Sequence, residues 1–216
     1  MLLCTGTVSS ARTEGVYSRC ENAKGKIALT FDDGPCERYT GEILDILAQY
    51  DVKGTFFVIG ENAEMYPALV RREIAEGHEV GSHTYSHCNI CTCSDTNLAS
   101  ELYRCENSLG EYCPRLFRPP GGKINDHDRE FISGLGYSIV LWSVDTRDWT
   151  GISAEKIISS VRGNVRDGDI ILFHDYNSRE SGTPDAIRTL IPELLAEGYE
   201  LVTVSELIAE QENTGP

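Results

Sequence analysis

Lys26-Ile27-Ala28-Leu29-Thr30-Phe31-Asp32-Asp33-Gly34 decides how this chain is read: an apolar run ends on two adjacent carboxylates and a turn glycine. Neighbouring residues on an extended strand point to opposite sides, so two carboxylates leaving such a strand need not serve one purpose. One is free to hold a metal while the other meets a substrate. Asp and Gly also dominate ordinary turns for backbone reasons. The pair therefore acquires chemical meaning only from partners elsewhere in the chain.

Working outward, the strand over 26–31 is followed by a helix opening at Thr40, with Ile43, Leu44, Leu47 and Tyr50 at helical spacing. A strand over 54–59 leads into one helix over about 62–76, stopped by Gly77. A shorter strand covers 78–83. Asp95 is expected to cap a helix carrying Leu98, Leu102, Cys105 and Leu109, followed by a brief strand over 115–118 and the turn Pro119-Pro120-Gly121-Gly122. A helix over 126–135, a strand over 137–144, a helix opening at Ser153 and a strongly apolar strand over 169–173 come next. A helix over 184–197, a strand over 199–204 and a short helix through Leu207 and Ile208 complete the chain.

Strands and helices alternate about seven times with short connections, the pattern of parallel strands joined by crossover helices. The strands are short apolar runs, as expected when both faces are covered. The expected fold is α/β, a distorted (β/α) barrel with about seven parallel strands over 26–210. Residues 1–25 read as an arm or linker, and 211–216 as a tail.

With 216 residues, 40% of them apolar and 25% charged, the chain can bury one substantial core. A formal net charge of −15 repels phosphate backbones and anionic lipid, which sets nucleic-acid partners aside. A neutral polymer is indifferent to that field. No run of about 18 apolar residues exists to span a membrane. The opening Met1-Leu2-Leu3-Cys4 is too short for a signal peptide's apolar region, so the protein is expected to be cytosolic or to begin after a removed leader. Eight cysteines point to the second option and to an extracellular or cell-envelope location. Disulfides are expected to pin the stretch holding Cys88, Cys91, Cys93, Cys105 and Cys113, with reduced structural thiols or a second metal as alternatives. Cys88-x2-Cys91 resembles half a zinc clip, but Cys105-x7-Cys113 supplies no matching half.

In parallel barrels chemistry gathers at the carboxyl ends of the strands. Asp32 and Asp33 follow the first expected strand, His83 and His87 the third, Arg118 the fourth, Asp145 and Asp148 the fifth, His174 and Asp175 the sixth. So many ionisable groups on one rim would repel or desolvate one another unless paired or bound to a cation. His83 and His87 are spaced so that one helical turn brings both onto a common face. Two neutral imidazoles and a carboxylate make the three-ligand set of a catalytic zinc, with a position left for water.

Thr30-Phe31-Asp32-Asp33-Gly34, His83-Thr84-Tyr85-Ser86-His87, Arg118-Pro119-Pro120, Asp145-Thr146-Arg147-Asp148-Trp149 and Leu172-Phe173-His174 resemble, in order, the five motifs of the polysaccharide deacetylases, the NodB-homology domain of carbohydrate esterase family four. The resemblance runs from about Lys26 to Ile208. It implies a distorted barrel and metal-dependent removal of acetyl groups from N-acetylglucosamine in a cell-wall (peptidoglycan) or chitin-like glycan. It assigns Asp33, His83 and His87 to the metal, zinc in most members and cobalt or another divalent ion in others. Asp32 becomes the general base and His174 the general acid. Arg118 would orient Asp32, and Asp148 or Asp145 would orient His174. Pro120, Gly121, Trp149 and Leu172 would line the substrate pocket, with the Gly121 N–H helping to bind the oxyanion. Gly121 departs from the pattern, which places an aromatic residue there. An O-acetyl xylan esterase and an inactive glycan-binding module are the competing readings, and a monomer is expected.

Overall fold

Strand β2 (Lys26–Asp32) is buried along its length after its first residue, and its pleat sorts its side chains into two layers. Ile27, Leu29 and Phe31 join a cluster with Ile43, Leu44, Leu47, Phe56, Phe173 and Ile187, whereas Ala28 joins Phe57, Val140 and Ile170. The first layer lies between sheet and helices and the second fills the inside of the curled sheet, the two-sided burial of a central parallel strand. The structure, a computed structural model, describes residues 15–112 and 115–213.

The other elements in chain order are β1 (Val16–Tyr17), α1 (Thr40–Gln49), β3 (Thr55–Val58), α2 (Gly60–Met65), α3 (Pro67–Ala75), β4 (Glu79–Ser82), α4 (Asp95–Ser108), β5 (Leu116–Phe117), α5 (Asp126–Gly134), β6 (Ser138–Val140), β7 (Val144–Asp145), α6 (Ala154–Val161), β8 (Ile170–His174), α7 (Thr183–Ala196), β9 (Glu200–Leu201) and α8 (Val204–Asn213). The sheet order is β1-β6-β5-β4-β3-β2-β8-β7, with β9 beside the start of β2. All of these strand pairs are parallel. The expected α/β architecture and distorted barrel are therefore present.

Closure comes from one short segment. The expected strand over 137–144 is split into β6 and β7, which pair at opposite ends of the sheet, β6 with β5 and β7 with β8. The break between them reaches about 14 Å at full extension, so the sheet must curl until its ends nearly meet. β1 fills the remaining gap: Leu141 N donates to Tyr17 O at 2.7 Å and Cys20 N donates to Gly168 O at 2.9 Å. Tyr17, Cys20 and Ala23 are buried there. The latter part of the expected arm is thus barrel wall, and a strand of two residues has no period by which to be recognised. Residues 1–14 of that arm and 214–216 of the expected tail lie outside the described residues, and 211–213 belong to α8.

Three further expectations change. The helix over 62–76 is two helices, because Pro67 disfavours helical geometry at the preceding Tyr66, whose φ and ψ are −124° and 53°. Ser94, not Asp95, caps α4, its hydroxyl accepting from Asn97 N. None of the six described cysteines forms a disulfide. Cys20, Cys36 and Cys105 are buried, and Cys93 Sγ donates a hydrogen bond to Cys88 Sγ at 3.7 Å, both remaining free thiols. Cys4 and Cys113 lie outside the described residues.

Candidate active site

The alternation of β2 delivers Thr30 and Asp32 to the inside of the barrel, on the same side as Ala28. Arg118, fully buried at the end of β5, meets them there. Its Nη1 donates to Asp32 Oδ1 at 2.7 Å and to Thr30 Oγ1 at 2.8 Å. Its Nε and Nη2 donate to the carbonyls of Val140 and Leu141, the backbone at the β6–β7 break. A buried guanidinium is tolerable only when its donors are used. Here they anchor one carboxylate and stitch the barrel seam.

Asp33 leaves the strand differently. Its φ of 75° is left-handed, so the chain turns and its carboxylate goes to the mouth rather than to the opposite face. Asp33 Oδ1 lies 3.4 Å from His83 Nε2 and 3.3 Å from His87 Nε2. His83 Nδ1 stands 2.7 Å from Arg118 O. A carbonyl only accepts, so Nδ1 carries the proton and, in the neutral ring, Nε2 presents a lone pair towards Asp33. Asp33 Oδ1 is buried and has no hydrogen-bond partner. The three atoms lie within 4.8 Å of one another, the set that suits a divalent cation. Burial alone would push the Asp33 carboxyl up, but the closeness of the His83 and His87 rings outweighs it and holds Asp33 far below the usual carboxylate range.

The two histidines do not share a helical turn, as their spacing suggested. Residues 83–87 form a bend in which Thr84 and His87 have φ of 65° and 57°. Three donors of that bend, Tyr85 N, Ser86 N and Ser86 Oγ, converge on Glu101 Oε2 of α4 at 3.0, 2.8 and 3.0 Å. Glu101 thereby does for the loop what helical geometry was expected to do.

On the other wall, His174 Nδ1 donates to Asp148 Oδ1 at 2.7 Å and His174 N donates to Asp148 Oδ2 at 2.8 Å. Thr183 Oγ1 gives Asp148 Oδ2 a further bond at 2.6 Å. Burial disfavours the imidazolium, but the bond and charge of Asp148, with smaller help from Asp32 and Asp33, raise the His174 pKa to about 9. Asp145 is not brought to His174: it is exposed and its Oδ1 accepts from Arg147 N at 2.8 Å, a turn-forming contact. Of the two aspartates, Asp148 is the one in contact with His174.

Leu172 is buried two residues before His174 and so lies on the same strand face, as a floor. Pro120 is buried, whereas Gly121 is exposed in a left-handed conformation with φ of 66°. No atom lies within 4 Å of where a Gly121 side chain would begin. Trp149 is half exposed on the turn after Asp148. The mouth thus combines a cation-binding triad, a guanidinium-held carboxylate and a carboxylate-held imidazole. Glu101, Thr183 and Thr30 are the partners that spacing alone did not reveal. Thr183 and Glu101 reach the site from helices α7 and α4, so no local pattern marks them.

A family profile described as polysaccharide deacetylase matches residues 20–140. A peptidoglycan-N-acetylglucosamine deacetylase of Bacillus cereus is 42% identical over 186 residues, which are 84% of this chain and 87% of that protein. A chitooligosaccharide deacetylase of Sinorhizobium fredii is 39% identical over 153 residues, 69% of this chain and 71% of that one. The crystal structure of the Bc1960 peptidoglycan N-acetylglucosamine deacetylase, in complex with a benzamide ligand, superposes with a TM-score of 0.85 at 38% identity, covering 91% of this chain and 93% of that one.

Proposed function

Because the chain belongs to the polysaccharide deacetylase family, we propose that it hydrolyses the acetamide of N-acetylglucosamine residues in a cell-wall glycan, releasing acetate. The observation that carries this reading is the convergence of Asp33, His83 and His87 between the Asp32–Arg118 pair and the His174–Asp148 pair. Asp33, His83 and His87 would hold a divalent ion, and zinc is the ion that two imidazoles and one carboxylate suit best. When bound, the ion acidifies a water and polarises the substrate carbonyl.

The chain's own residues supply the rest. Asp32 accepts the proton of the attacking water, and Arg118 fixes the carboxylate through a bond to Oδ1, leaving Oδ2 for that proton. An amine leaves an amide carbon only once protonated. His174 is positioned to donate that proton, since Asp148 occupies its Nδ1 and keeps the ring charged to about pH 9. Gly121 is exposed at the rim, with no atom within 4 Å of where its side chain would begin, and its N–H is the candidate donor to the developing oxyanion. The base and the acid come from strands β2 and β8, which are in register at Asp32 and His174, so both groups flank one substrate position.

A cell-wall substrate would be met at the cell envelope or outside the cell, and the protein is proposed to act there as a monomer. No helix among the described residues is long and apolar enough to cross a membrane. The test is a metal analysis of the purified protein with acetate release measured on peptidoglycan, chitooligosaccharides and acetylated xylan, before and after chelation. Metal-dependent release from the first two substrates is expected. Release from xylan alone would favour the esterase reading, and none from any would favour a binding module.

A further inference from the structure

Among the described residues seven large apolar side chains are exposed, and two of them, Trp149 at 53% and Tyr176 at 44%, flank the His174–Asp148 pair in sequence. Trp149 directly follows Asp148 and Tyr176 stands two residues beyond His174. The two segments are bound together: besides the bonds between His174 and Asp148, Asn177 Nδ2 donates to Asp148 O at 3.2 Å and Arg179 Nη1 to Thr150 O at 3.4 Å. Tyr176 is set between two inward-facing neighbours. Asp175 is fully buried and accepts from Thr40 Oγ1, and Asn177 is engaged with the Asp148 carbonyl. Tyr176 is therefore an aromatic residue left partly open to water on a loop tied down on both sides. Gly121, at the Pro120–Gly122 turn, offers no side chain and is surrounded by open space.

Resting on the deacetylase reading, we propose that Tyr176 is a specificity-determining residue whose ring stacks against a sugar of the glycan on the His174 side of the mouth. The nitrogen that receives the proton of His174 stays on its sugar, so the glycan has to pass next to this segment. A pyranose with equatorial substituents shows a face of axial C–H groups, slightly positive and apolar, which complements the negative face of an aromatic ring. Such a contact grips rings without reading their charge and leaves the acetyl group free to enter the metal site. It contributes to holding the glycan rather than to bond breaking, so its effect belongs in KM and grows with the number of sugars present.

The test compares Tyr176→Ala, Tyr176→Trp and the unaltered chain, all zinc-loaded, on 4-nitrophenyl acetate and on N-acetylchitooligosaccharides of two to five sugars. Binding of penta-N-acetylchitopentaose is measured in parallel by calorimetry in an Asp32→Asn background. Tyr176→Ala is expected to raise KM for the pentasaccharide and to weaken its binding by about 5- to 10-fold, the change that aromatic contacts of this size give. Its loss of kcat/KM on the pentasaccharide should exceed the loss on the ester by at least that factor, and Tyr176→Trp should retain the affinity. Equal losses on ester and pentasaccharide, or an unchanged pentasaccharide affinity, would overturn the proposal. If the unaltered chain releases no acetate while Tyr176→Ala still weakens pentasaccharide binding, the stacking role stands and the deacetylase reading alone fails.

Discussion

Asp32 and Asp33 are separated by one peptide unit and meet different partners, Arg118 and the two histidines, because the positive φ at Asp33 swings its carboxylate out of the strand alternation. Asp33→Ala is expected to lose bound metal in an elemental analysis. Asp32→Asn should keep the metal and lower turnover by about 10²- to 10⁴-fold, the usual worth of a general base. Equal metal loss in both variants would mean that the two roles are not divided in this way. In the proposed role of general acid His174 has to be protonated, and the bond and charge of Asp148, outweighing burial, push its pKa up to about 9, above the ordinary imidazole value of 6.5. Activity is therefore expected below that pH and should be lost as the pH rises through about 9. Asp148→Asn removes the negative charge while keeping the shape, so the alkaline limb of the kcat/KM profile should move down towards 6.5 and the maximum should fall by about 100-fold or more. At this scale much of the arrangement was legible: Asp33, His83 and His87 converge, Arg118 reaches Asp32, and His174 stands in register with Asp32 at the same end of the sheet. The choice between Asp145 and Asp148 was not, because the two lie three residues apart at the end of one strand and only the turn through Arg147 sends one outward and the other to His174.

At the scale of elements, the loop carrying His83 and His87 is set by α4. Glu101 holds three donors of that loop on a single oxygen, an outer partner of the candidate ligands His83 and His87. Glu101→Ala should weaken zinc binding by about 10- to 100-fold, as loss of such partners does elsewhere, while far-ultraviolet circular dichroism stays close to that of the unaltered chain. Zinc affinity unchanged in a competition titration would show that the bend holds itself. The elements were mostly foreseen by period and by turn residues. The misreadings were β1, too short to show alternation, the helix divided at Pro67, and the strand interrupted between Val140 and Val144. The last has a local cause visible only in three dimensions: Arg118 draws on the carbonyls of Val140 and Leu141, which leaves them facing the guanidinium rather than a neighbouring strand.

For the whole molecule, the barrel mouth concentrates acceptors that a cation would satisfy, so folding and metal binding are linked. A ligand bound only by the folded state stabilises it by about 2.7 kcal/mol at a free concentration of 100 times its Kd. Chelation should accordingly lower the melting temperature by several degrees, and Asp33→Ala should abolish that difference; calorimetry with and without a chelator measures both. By itself the sequence determined the chemical kinds of group at the strand ends, their order and the α/β alternation, because side-chain pleat, helical period and motif order are all local. The tertiary structure alone decided that β1 plugs the seam, that Asp148 and not Asp145 holds His174, that Glu101 and Thr183 support the site, and that Tyr176 faces outward. Each of these rests on contacts between residues far apart in the chain, formed only when the sheet curls far enough for β6 and β7 to join its two ends.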